Sequence, residues 1–497
     1  MNFEGGVLKL TGSVPSLRVI SCNKDPVNPH GDFVLYWMTA FRRVSWNFAL
    51  DRAVDWAREL QKPLLVLEAL RCDYPWASDR LHAFVLEGMA HNARELANGP
   101  VSYYPYVERI RGEGKGLLES LSRNACVIVT DYFPCFFIPA MTKAAAGRVG
   151  VLMEMVDGNG LLPLHLPEKV FQAAYHFRRF SQKHLLPLLS QQPKARPFAG
   201  RKLQTLGAIS PAVVERWPSL PLEGAYSIRT FINSLPIDHK VRPVDYRGGT
   251  GPARSAFRTF IENRFSSYKK NRNHPDELAE SGLSPYLHFG HISSHEIVNG
   301  ILEQQQWSPK QCSDQAKGQR EGWWGMDENA EAFLDQIITW RELGFQFCHH
   351  RPDYYEYGSL PNWAIKTLQQ HGQDPRPFLY TIQEFEEART HDPVWNAAQN
   401  QLLEEGRIHN YLRMLWGKKI LHWSATPEDA LRIMERLNNR YALDGRDPNS
   451  YTGIFWILGR HDRAWGPERP VFGKIRYMTS ASTKRKLRMK EYLRKWA

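Results

Sequence analysis

Two tryptophans lie seven positions apart in RMLWGKKILHW, the segment from residue 413 to residue 423. At about 3.6 residues per turn, seven residues make almost two turns. Trp416 and Trp423 therefore share one helix face with Arg413 and Ile420. Indoles on an apolar stripe usually pack in a core, but they can also take part in chemistry. This helix alone favours core packing, so a chemical role for the two tryptophans needs support from other parts of the chain.

The same helix face carries a cation that needs an anionic partner. A buried guanidinium group requires a carboxylate or a phosphate, because an unpaired charge is costly to remove from water. Asp444, in YALDGRDPN, is the nearest candidate along the chain. We therefore expect Arg413 to pair with Asp444.

A second polar side chain, Asn438, falls on the buried face of the following helix. That helix should begin with Thr426 as its N-cap and Pro427 in its first turn. An unpaired buried amide costs ~1–3 kcal/mol, so Asn438 needs a partner. These residues alone favour a backbone group on a neighbouring helix, with a ligand as the alternative. Polar anchors that converge with aromatic rings suit a large flat ligand with hydrogen-bonding edges.

Composition limits the class of protein. A chain of 497 residues should divide into two or three domains. The net charge of +12 and the pI near 9.3 indicate a polyanionic partner, with nucleic acid ahead of an anionic membrane, although part of this charge is ordinary solvated surface.

The six cysteines are scattered without a C-x-x-C pair, which fits a reducing compartment and argues against a zinc or iron–sulfur site. The N-terminus lacks an apolar core of signal-peptide length, and no apolar run approaches ~20 residues. We expect a soluble, intracellular protein of the cytoplasm, associated with the nucleoid in a bacterium. We also expect a monomer with no bound metal and no membrane contact.

The chain changes character near its middle. Over 30–165, short apolar runs alternate with amphipathic stretches, which predicts an α/β domain with a parallel sheet covered by helices on both faces. Its first strand leads into TAFRRV and not into a glycine-rich turn, so a dinucleotide fingerprint and a P-loop are both absent. Prolines mark 166–250 as an interdomain connection, and 251–497 reads as an all-α domain with a polar surface insertion over 304–331.

Six long segments occur in one order in the helical half: LSPYLHFGHIS (283–293), WREL (340–343), THDPVWNAAQ (390–399), IHNYLRMLWGKKILHW (408–423), LNNRYALDGRDPNSYTGIFW (437–456) and FGKIRYM (472–478). These segments resemble class II DNA photolyases of the photolyase and cryptochrome superfamily. The resemblance is dense from about Tyr268 to Met478. It is weaker in the first domain, where YWMTAFRRVSWNFAL (36–50) and VTDYFP (129–134) match.

This resemblance implies that the helical domain binds FAD in a bent, U-shaped conformation. A helix N-terminus favours the phosphates of such a cofactor. The family pattern assigns six residues to FAD: Tyr268, Leu283 and Ser284 near the phosphates, and Arg413, Asp444 and Asn438 beside the isoalloxazine, with Asn438 facing N5. An antenna pigment in the first domain cannot be assigned from these residues.

The resemblance also gives the tryptophans a role. Trp416 looks like the proximal, Trp395 the middle and Trp423 the surface member of a chain that reduces the photoexcited flavin. Electron transfer falls steeply with distance, so several short steps between indoles are faster than one long step. On this basis an electron path is favoured over plain core packing, although one ring can serve both purposes.

The substrate implied by the resemblance is DNA that contains a pyrimidine dimer, flipped out of the duplex. Light-driven electron donation from reduced FAD would split the cyclobutane ring and the electron would return. The matching positions are Trp340 and Trp456 flanking the dimer, Met414 beneath it, and Arg272 and Arg476 on the DNA around the gap.

The lesion side departs from the family pattern at Gln336. Cyclobutane dimer photolyases have a glutamate four residues before the tryptophan of the W-R-E motif, whereas this chain has Gln336. Glutamine keeps a donor but cannot supply a proton. Asn410 resembles an asparagine that class I enzymes use on the substrate. Repair of cyclobutane dimers is nevertheless the leading hypothesis, because the redox tryptophans, the flanking aromatics and the basic contacts of the family pattern are all present. The alternatives are a cryptochrome-like photoreceptor, repair of a different photolesion, and a flavin-free nucleic-acid binder.

Overall fold

The computed structural model describes residues 2–4, 7–9, 12–200, 202–222 and 227–497. These residues divide into two compact units. The sheet unit runs to Glu168 and adds 184–255 and 283–301, and the helical unit consists of 169–183, 256–282 and 302–497. The segment predicted as a connection is thus shared between the two units, and the LSPYLHFG segment belongs to the sheet unit.

Eight strands are present in the described residues: β1 Asn2–Glu4, β2 Val7–Lys9, β3 Val19–Ser21, β4 Phe33–Met38, β5 Leu64–Leu70, β6 Ser102–Val107, β7 Ala125–Asp131 and β8 Met153–Val156. β1 and β2 form an antiparallel pair, and the other six form one sheet in the order β3-β8-β7-β4-β5-β6. All neighbours in that sheet are parallel except β3 and β8. The predicted α/β class is confirmed, with β3 as an additional antiparallel edge strand.

The central strand β4 is buried along its whole length. Tyr36 packs in an apolar cluster with Leu50 and Val54 of the helix that follows it, whereas Leu35 packs in a second cluster with Leu117. Successive side chains of a strand point to opposite faces. The sheet therefore carries apolar layers on both faces, as the continuous apolar runs of its strands predict.

The α-helices in the described residues are α1 Phe48–Glu59, α2 Asp79–Leu96, α3 Leu117–Ser122, α4 Ile138–Ala146, α5 Ala174–Leu188, α6 Pro211–Arg216, α7 Ile228–Ile232, α8 Thr250–Asn263, α9 Tyr268–Asn271, α10 Ser284–His288, α11 Ser294–Gln304, α12 Glu328–Leu334, α13 Arg341–His350, α14 Asn362–Gln370, α15 Ile382–Glu386, α16 Pro393–Glu405, α17 Asn410–Trp423, α18 Pro427–Tyr441, α19 Pro448–Ile457, α20 Ser480–Lys486 and α21 Lys490–Trp496. A π-helical turn spans Asp335–Trp340 between α12 and α13. Single 3-10 turns occur at Ser16–Arg18, Phe265–Ser267, Pro275–Glu277, Pro309–Gln311 and Tyr357–Ser359.

The turn after β4 is closed by a carboxylate. Asp131 Oδ2 accepts hydrogen bonds from the backbone N–H groups of Thr39, Ala40 and Phe41 at 2.8, 2.7 and 2.9 Å. Burial raises the pKa of Asp131, and these hydrogen bonds oppose that rise. Because the amides are already paired, this turn offers no cradle for a phosphate, in agreement with its lack of glycine.

The polar stretch 304–331 is exposed over most of its length, but two of its tryptophans are not. Trp323 and Trp324 are 3% and 8% exposed, and Trp307 Nε1 donates to the carbonyl of Trp324. The stretch is thus exposed as predicted, except at this tryptophan cluster, whose rings pack on one another. Within the described residues, no helix is long and apolar enough to cross a bilayer.

Candidate functional site

Three tryptophan rings form a continuous series in the helical unit. The ring of Trp395, on α16, lies 6.4 Å from that of Trp416, on α17, with an angle of 4° between their planes. Its centroid is 6.2 Å from that of Trp423, also on α17, at 67°. The order predicted by the resemblance, with Trp395 between the other two, is the order of contacts in the structure.

Each of the first two indoles donates to an acceptor that is not a base. Trp416 Nε1 donates to Gln399 Oε1 at 2.9 Å, and Trp395 Nε1 donates to the backbone carbonyl of Trp416 at 3.0 Å. Neither an amide nor a carbonyl oxygen takes up a proton near neutral pH. An indole that lost an electron here would therefore keep its N–H proton.

Trp423 was predicted to be the surface member of the series, and this prediction is wrong. Its side chain is only 1% exposed. The ring is covered by Tyr380 and His391, at centroid distances of 5.6 and 4.9 Å, and the Lys419 ammonium lies 5.0 Å from its centroid. The helix period places Trp423 correctly, but the covering groups come mostly from the segment before α16.

Asp392 links the helices that carry the three rings. It is the N-cap of α16, where its Oδ1 accepts from the N–H groups of Val394 and Trp395 at 3.0 and 3.2 Å. Its Oδ2 lies 3.4 Å from Lys419 Nζ on α17 and accepts from the Ser480 hydroxyl. The cap and the ion pair together hold the ring of Trp395 against those on α17.

The predicted ion pair at the start of α17 is present. Arg413 Nη2 lies 3.4 Å from Asp444 Oδ1, and the two side chains are 19% and 13% exposed. The long contact uses only Nη2, and among the described residues the other guanidinium N–H groups have no acceptor. Arg413 therefore retains donors for a further group on the helix face that carries Trp416 one turn later.

Asn438, on α18, is 3% exposed, as its position on the apolar face predicts. Its Nδ2 donates a long bond of 3.3 Å to Oδ1 of the adjacent Asn439, not to a backbone group of a neighbouring helix. Asn439 is itself fixed by the backbone N–H of Arg446 at 2.9 Å. In the part of the chain that the structure describes, the carbonyl oxygen of the Asn438 side chain has no partner.

These side chains fit an FAD isoalloxazine. The flavin edge alternates hydrogen-bond donors and acceptors, and Asn438 supplies both kinds while Arg413 supplies donors beside a fixed carboxylate. Leu283 is buried and Ser284 is exposed at the start of α10, in the sheet unit. Their predicted place at the phosphates stays a prediction.

Tyr268 is 7% exposed and receives a hydrogen bond of 3.3 Å from Arg272 Nη1. Burial raises the pKa of Tyr268, Arg272 lowers it, and the carboxylates of Glu280 and Asp335 add to the rise. Glu280 also accepts from the backbone N–H of Asn410 at 2.8 Å. Glu280 therefore connects Asn410 with the hydrogen-bonded pair of Tyr268 and Arg272.

Gln336 and Trp340 both lie on the π-helical turn, where the N–H of Arg341 donates to the carbonyl of Gln336. Isolated π turns are uncommon and are frequent at functional sites. Gln336 and Trp340 are partly exposed, so their side chains can reach a ligand. Arg178 fixes the start of the turn through a two-point ion pair with Asp335, at 2.6 and 3.1 Å.

The predicted DNA contact Arg476 lies next to a predicted lesion contact. Its guanidinium carbon is 5.9 Å from the ring centroid of Trp456 and 5.1 Å from that of Trp465. Both Trp456, on α19, and Met414, on α17, are partly exposed. Arg476 thus combines a fixed stacking position with a charge that is open to a phosphate.

Several residues of this site were not predicted. Asp392 could have been found, because an aspartate directly before a proline is a helix-start signal. Gln399 lies one turn after Trp395, which places it on the same face but does not reveal its partner. The Tyr380–His391 pair and the Arg178–Asp335 pair join residues that no local pattern connects.

No family model matches the chain. The chain is 33% identical over 477 residues to the deoxyribodipyrimidine photo-lyase of Methanothermobacter thermautotrophicus, a match that covers 96% of this chain and 97% of the relative. Proteins of the same name match from Oryza sativa subsp. japonica, at 33% identity over 93% of this chain and 87% of the relative, and from Potorous tridactylus, at 31% identity over 93% and 80%.

The fold also matches a solved structure, a bacterial class III photolyase from Agrobacterium tumefaciens. The TM-score is 0.68 at 18% identity, and the match covers 94% of this chain and 86% of the other. At this identity the match supports the fold and nothing finer.

Proposed function

The chain belongs to the photolyase family, and from this premise we propose that it is an FAD-dependent enzyme that repairs pyrimidine dimers in DNA by light-driven electron transfer. One observation carries the proposal. Three indoles in contact begin one helical turn from the Arg413–Asp444 pair, inside the helical unit. A plain core needs the apolar area of these rings, but it does not need polar anchors with unused bonds beside them.

The chain's own residues would hold and orient the cofactor. Arg413, kept in place by Asp444, would direct its remaining N–H donors at the flavin ring, and Asn438 would face the ring with the carbonyl that the protein leaves unpaired. FAD supplies light absorption and one-electron chemistry when it is bound. Trp416, Trp395 and Trp423 would pass electrons inwards, and their non-basic partners keep protons from leaving the first two rings.

The lesion would be bound by the partly exposed aromatic side chains. Trp340 and Trp456 offer flat faces for the two bases of a dimer, and Arg476 would neutralise a phosphate next to the gap. Arg178 would keep the π-helical turn, and with it Gln336, in position. The net charge of +12 supports a DNA partner as well.

Gln336 supports a second candidate, a blue-light photoreceptor without efficient repair. An amide can donate a hydrogen bond to a dimer carbonyl, but it cannot transfer a proton to a developing radical anion. The same substitution would suit an enzyme for a different photolesion. Repair of cyclobutane dimers differs from these two alternatives in one measurable product, the intact pyrimidines formed from the dimer.

The decisive experiment irradiates the reduced protein with blue light in the presence of an oligonucleotide that contains one cyclobutane thymine dimer. We expect intact thymines from the natural protein, and a yield that rises about tenfold or more in Gln336→Glu, because a proton donor is regained. Gln383→Glu is the matched control, since Gln383 is exposed on α15 and pairs only with Glu387 among the described residues.

If the natural protein leaves the dimer intact while Gln336→Glu splits it, repair of cyclobutane dimers is the wrong function, and the photoreceptor and the enzyme for a different photolesion remain. A second oligonucleotide with another pyrimidine photoproduct tests the alternative lesion. Absorption of the purified protein comes first, because a chain without a flavin spectrum would be neither a repair enzyme nor a photoreceptor.

A further inference from the structure

The insertion over 304–331 is docked on α5 through one glycine. The N–H of Gly318 donates to Gln182 Oε1 at 2.7 Å, and its carbonyl accepts a bond of 3.4 Å from Arg178 Nη1. Gln182 Nε2 also donates to the carbonyl of Gln319 at 2.9 Å. Both side chains of α5 are buried, so these hydrogen bonds are shielded from water, where they hold more strongly.

Gly318 is a position where a side chain would separate the two segments. Its φ of +77° lies in the left-handed region, which favours glycine. A Cβ there would lie 2.9 Å from the carbonyl oxygen of Tyr175 and 3.1 Å from Cβ of Arg179, closer than such atoms pack without strain. The close approach of the insertion to α5 therefore requires glycine.

The same helix, α5, contacts both ends of the π-helical turn. At the start of the turn, Arg178 holds Asp335 at 2.6 and 3.1 Å. At its end, Trp340 packs against the apolar cluster that contains Phe177 of α5. Because Arg178 bonds both Asp335 and Gly318, the guanidinium group that fixes the turn is itself held by the insertion.

The insertion is also anchored on α12, the helix that leads into the turn. The buried carboxylate of Glu331 accepts from the backbone N–H groups of Gly322, Gly325 and Met326, the last two at 3.0 and 3.4 Å. Since α12 continues directly into the π-helical turn, the insertion, α12, the turn and Arg178 form a closed ring of contacts. A movement of the insertion would therefore reach the turn from both sides.

The π-helical turn is the part of this ring that can change. A single π turn holds one residue more than the α-helical register. If it relaxed into an α-helix, the residues before it would rotate by about 100° relative to α13, because an α-helix makes one turn in about 3.6 residues. That rotation would change the direction of Gln336 relative to Trp340.

We propose that the insertion is a clamp for the lesion side of the proposed site, with Gln182 and Gly318 as positioning residues that act through Arg178; the proposal rests on the proposed function. With the clamp docked, the turn is retained, and Gln336 and Trp340 keep the geometry in which they meet a flipped dimer. With the clamp released, the turn relaxes. The protein then keeps its flavin and its charge but discriminates less between damaged and undamaged DNA.

Two variants release the clamp in different ways. Gln182→Met keeps most of the side-chain volume and removes both bonds to the insertion, whereas Gly318→Ala introduces the Cβ that meets α5. Gly322→Ala is the control for the second variant, because Gly322 also has a left-handed φ, of +76°, while a Cβ there meets no heavy atom of the described residues within 4 Å. Gln192→Met is the control for the first, since Gln192 is a partly buried glutamine of the sheet unit that also makes two side-chain hydrogen bonds.

Two measurements on the full chain follow each variant. Hydrogen–deuterium exchange of peptides that cover residues 335–341 reports opening of the turn. Competition between a duplex with one cyclobutane thymine dimer and the same duplex without it reports discrimination. We expect both release variants to speed this exchange and to reduce discrimination by about tenfold, the effect of one or two lost hydrogen bonds. Flavin content and affinity for undamaged duplex should stay unchanged, whereas a general loss of structure would speed exchange throughout the helical unit and release flavin.

The proposal is overturned if exchange over 335–341 is unchanged in both release variants, or if exchange rises while discrimination keeps its natural value. It is also overturned if Gly322→Ala acts like Gly318→Ala, because backbone strain and not the contact with α5 would then be responsible. Each of these results leaves the proposed function intact. Failure of the proposed function has a different signature, in which the natural protein neither prefers the dimer duplex nor restores thymines. In that case exchange alone decides, and an unchanged rate in the release variants overturns the clamp.

Discussion

The indole planes of Trp395 and Trp416 are parallel to within 4° and their centroids are 6.4 Å apart, although the two residues belong to different helices. Trp416 and Trp423 are seven residues apart on α17, about 10.5 Å along its axis, so a ring that contacts both must come from another element. The N-cap and ion pair of Asp392 hold the two helices in this arrangement. The middle ring of the series therefore has to come from α16.

Replacement of the middle ring should interrupt the series. We expect Trp395→Phe to slow photoreduction of bound flavin by more than about tenfold, because phenylalanine is much harder to oxidise and the remaining rings are no longer in contact. The measurement is the rate of bleaching of the oxidised flavin band under blue light. Trp307→Phe, in the cluster around Trp324, is the control. An unchanged rate in Trp395→Phe would exclude this electron path.

Gln399 should determine whether Trp416 keeps its proton. In Gln399→Leu the buried indole N–H loses its acceptor, which should lower the free energy of unfolding by about 1–3 kcal/mol. Gln399→Glu instead provides a base at the same position. We expect transient absorption of this variant to show a deprotonated tryptophan radical at Trp416. The electron vacancy should then stay at Trp416 and not move on to Trp395. The same radical spectrum in Gln399→Glu and in the natural protein would contradict the role of this contact.

The Arg413–Asp444 pair should be needed for flavin retention. Asp444→Asn removes the charge that fixes Arg413, and we expect the affinity for FAD to fall about tenfold, equivalent to about 1.4 kcal/mol. The flavin-to-protein ratio after dialysis and a titration of the apoprotein measure this change. Asp429→Asn, which removes the partner of the exposed Arg432, should retain its flavin. Equal flavin contents in the two variants would argue against the assignment.

Arg476 should contact a phosphate of damaged DNA. Arg476→Gln is expected to weaken binding of a dimer-containing duplex and to reduce the slope of log K against log salt by about 1, the value for one lost phosphate contact. Fluorescence anisotropy over a series of salt concentrations gives both quantities. Arg432→Gln, at an exposed position on α18, should change neither. An unchanged slope in Arg476→Gln would place this residue outside the DNA interface.

A buried lysine on α17, the helix that carries Trp416 and Trp423, should make stability depend on pH. Lys418 is 1% exposed, and burial lowers its pKa to about 7, with Asp462 opposing the shift and Arg476 adding to it. The unfolded chain, with an ordinary lysine pKa of about 10.4, binds more protons between about pH 7 and pH 10. The free energy of unfolding therefore rises with pH in this window, by up to about 1.4 kcal/mol per pH unit.

Lys418→Met should remove this dependence, because the thioether side chain fills the same space without a charge. Urea unfolding at a series of pH values between about 7 and 9 measures the slope. Lys366→Met on α14 is the control, as Lys366 is exposed. Parallel pH profiles for Lys418→Met and the natural protein would show that the amine is not buried as a neutral base.

Local patterns in the sequence were sufficient for the α/β class of the first domain, for the helix of Trp416 and Trp423 and for part of the site. The alternation of short apolar runs with amphipathic stretches predicted the parallel sheet, and the TAFRRV turn excluded a phosphate cradle. The helix period placed Trp416 and Trp423 on one buried face. The need of a guanidinium for a carboxylate identified Asp444 as the partner of Arg413. These features depend on residues within a few turns or on strong local electrostatics.

Tertiary packing decided the rest. The burial of Trp423 depends on Tyr380 and His391, which lie 43 and 32 positions earlier in the numbering. The partner of the Trp416 indole, Gln399, is on another helix, and the anchor of the π-helical turn, Arg178, precedes Asp335 by 157 residues. A periodic pattern states which face of a helix is buried, but not which residue covers it. That choice is made only when distant segments compete for the same space and the same hydrogen bonds.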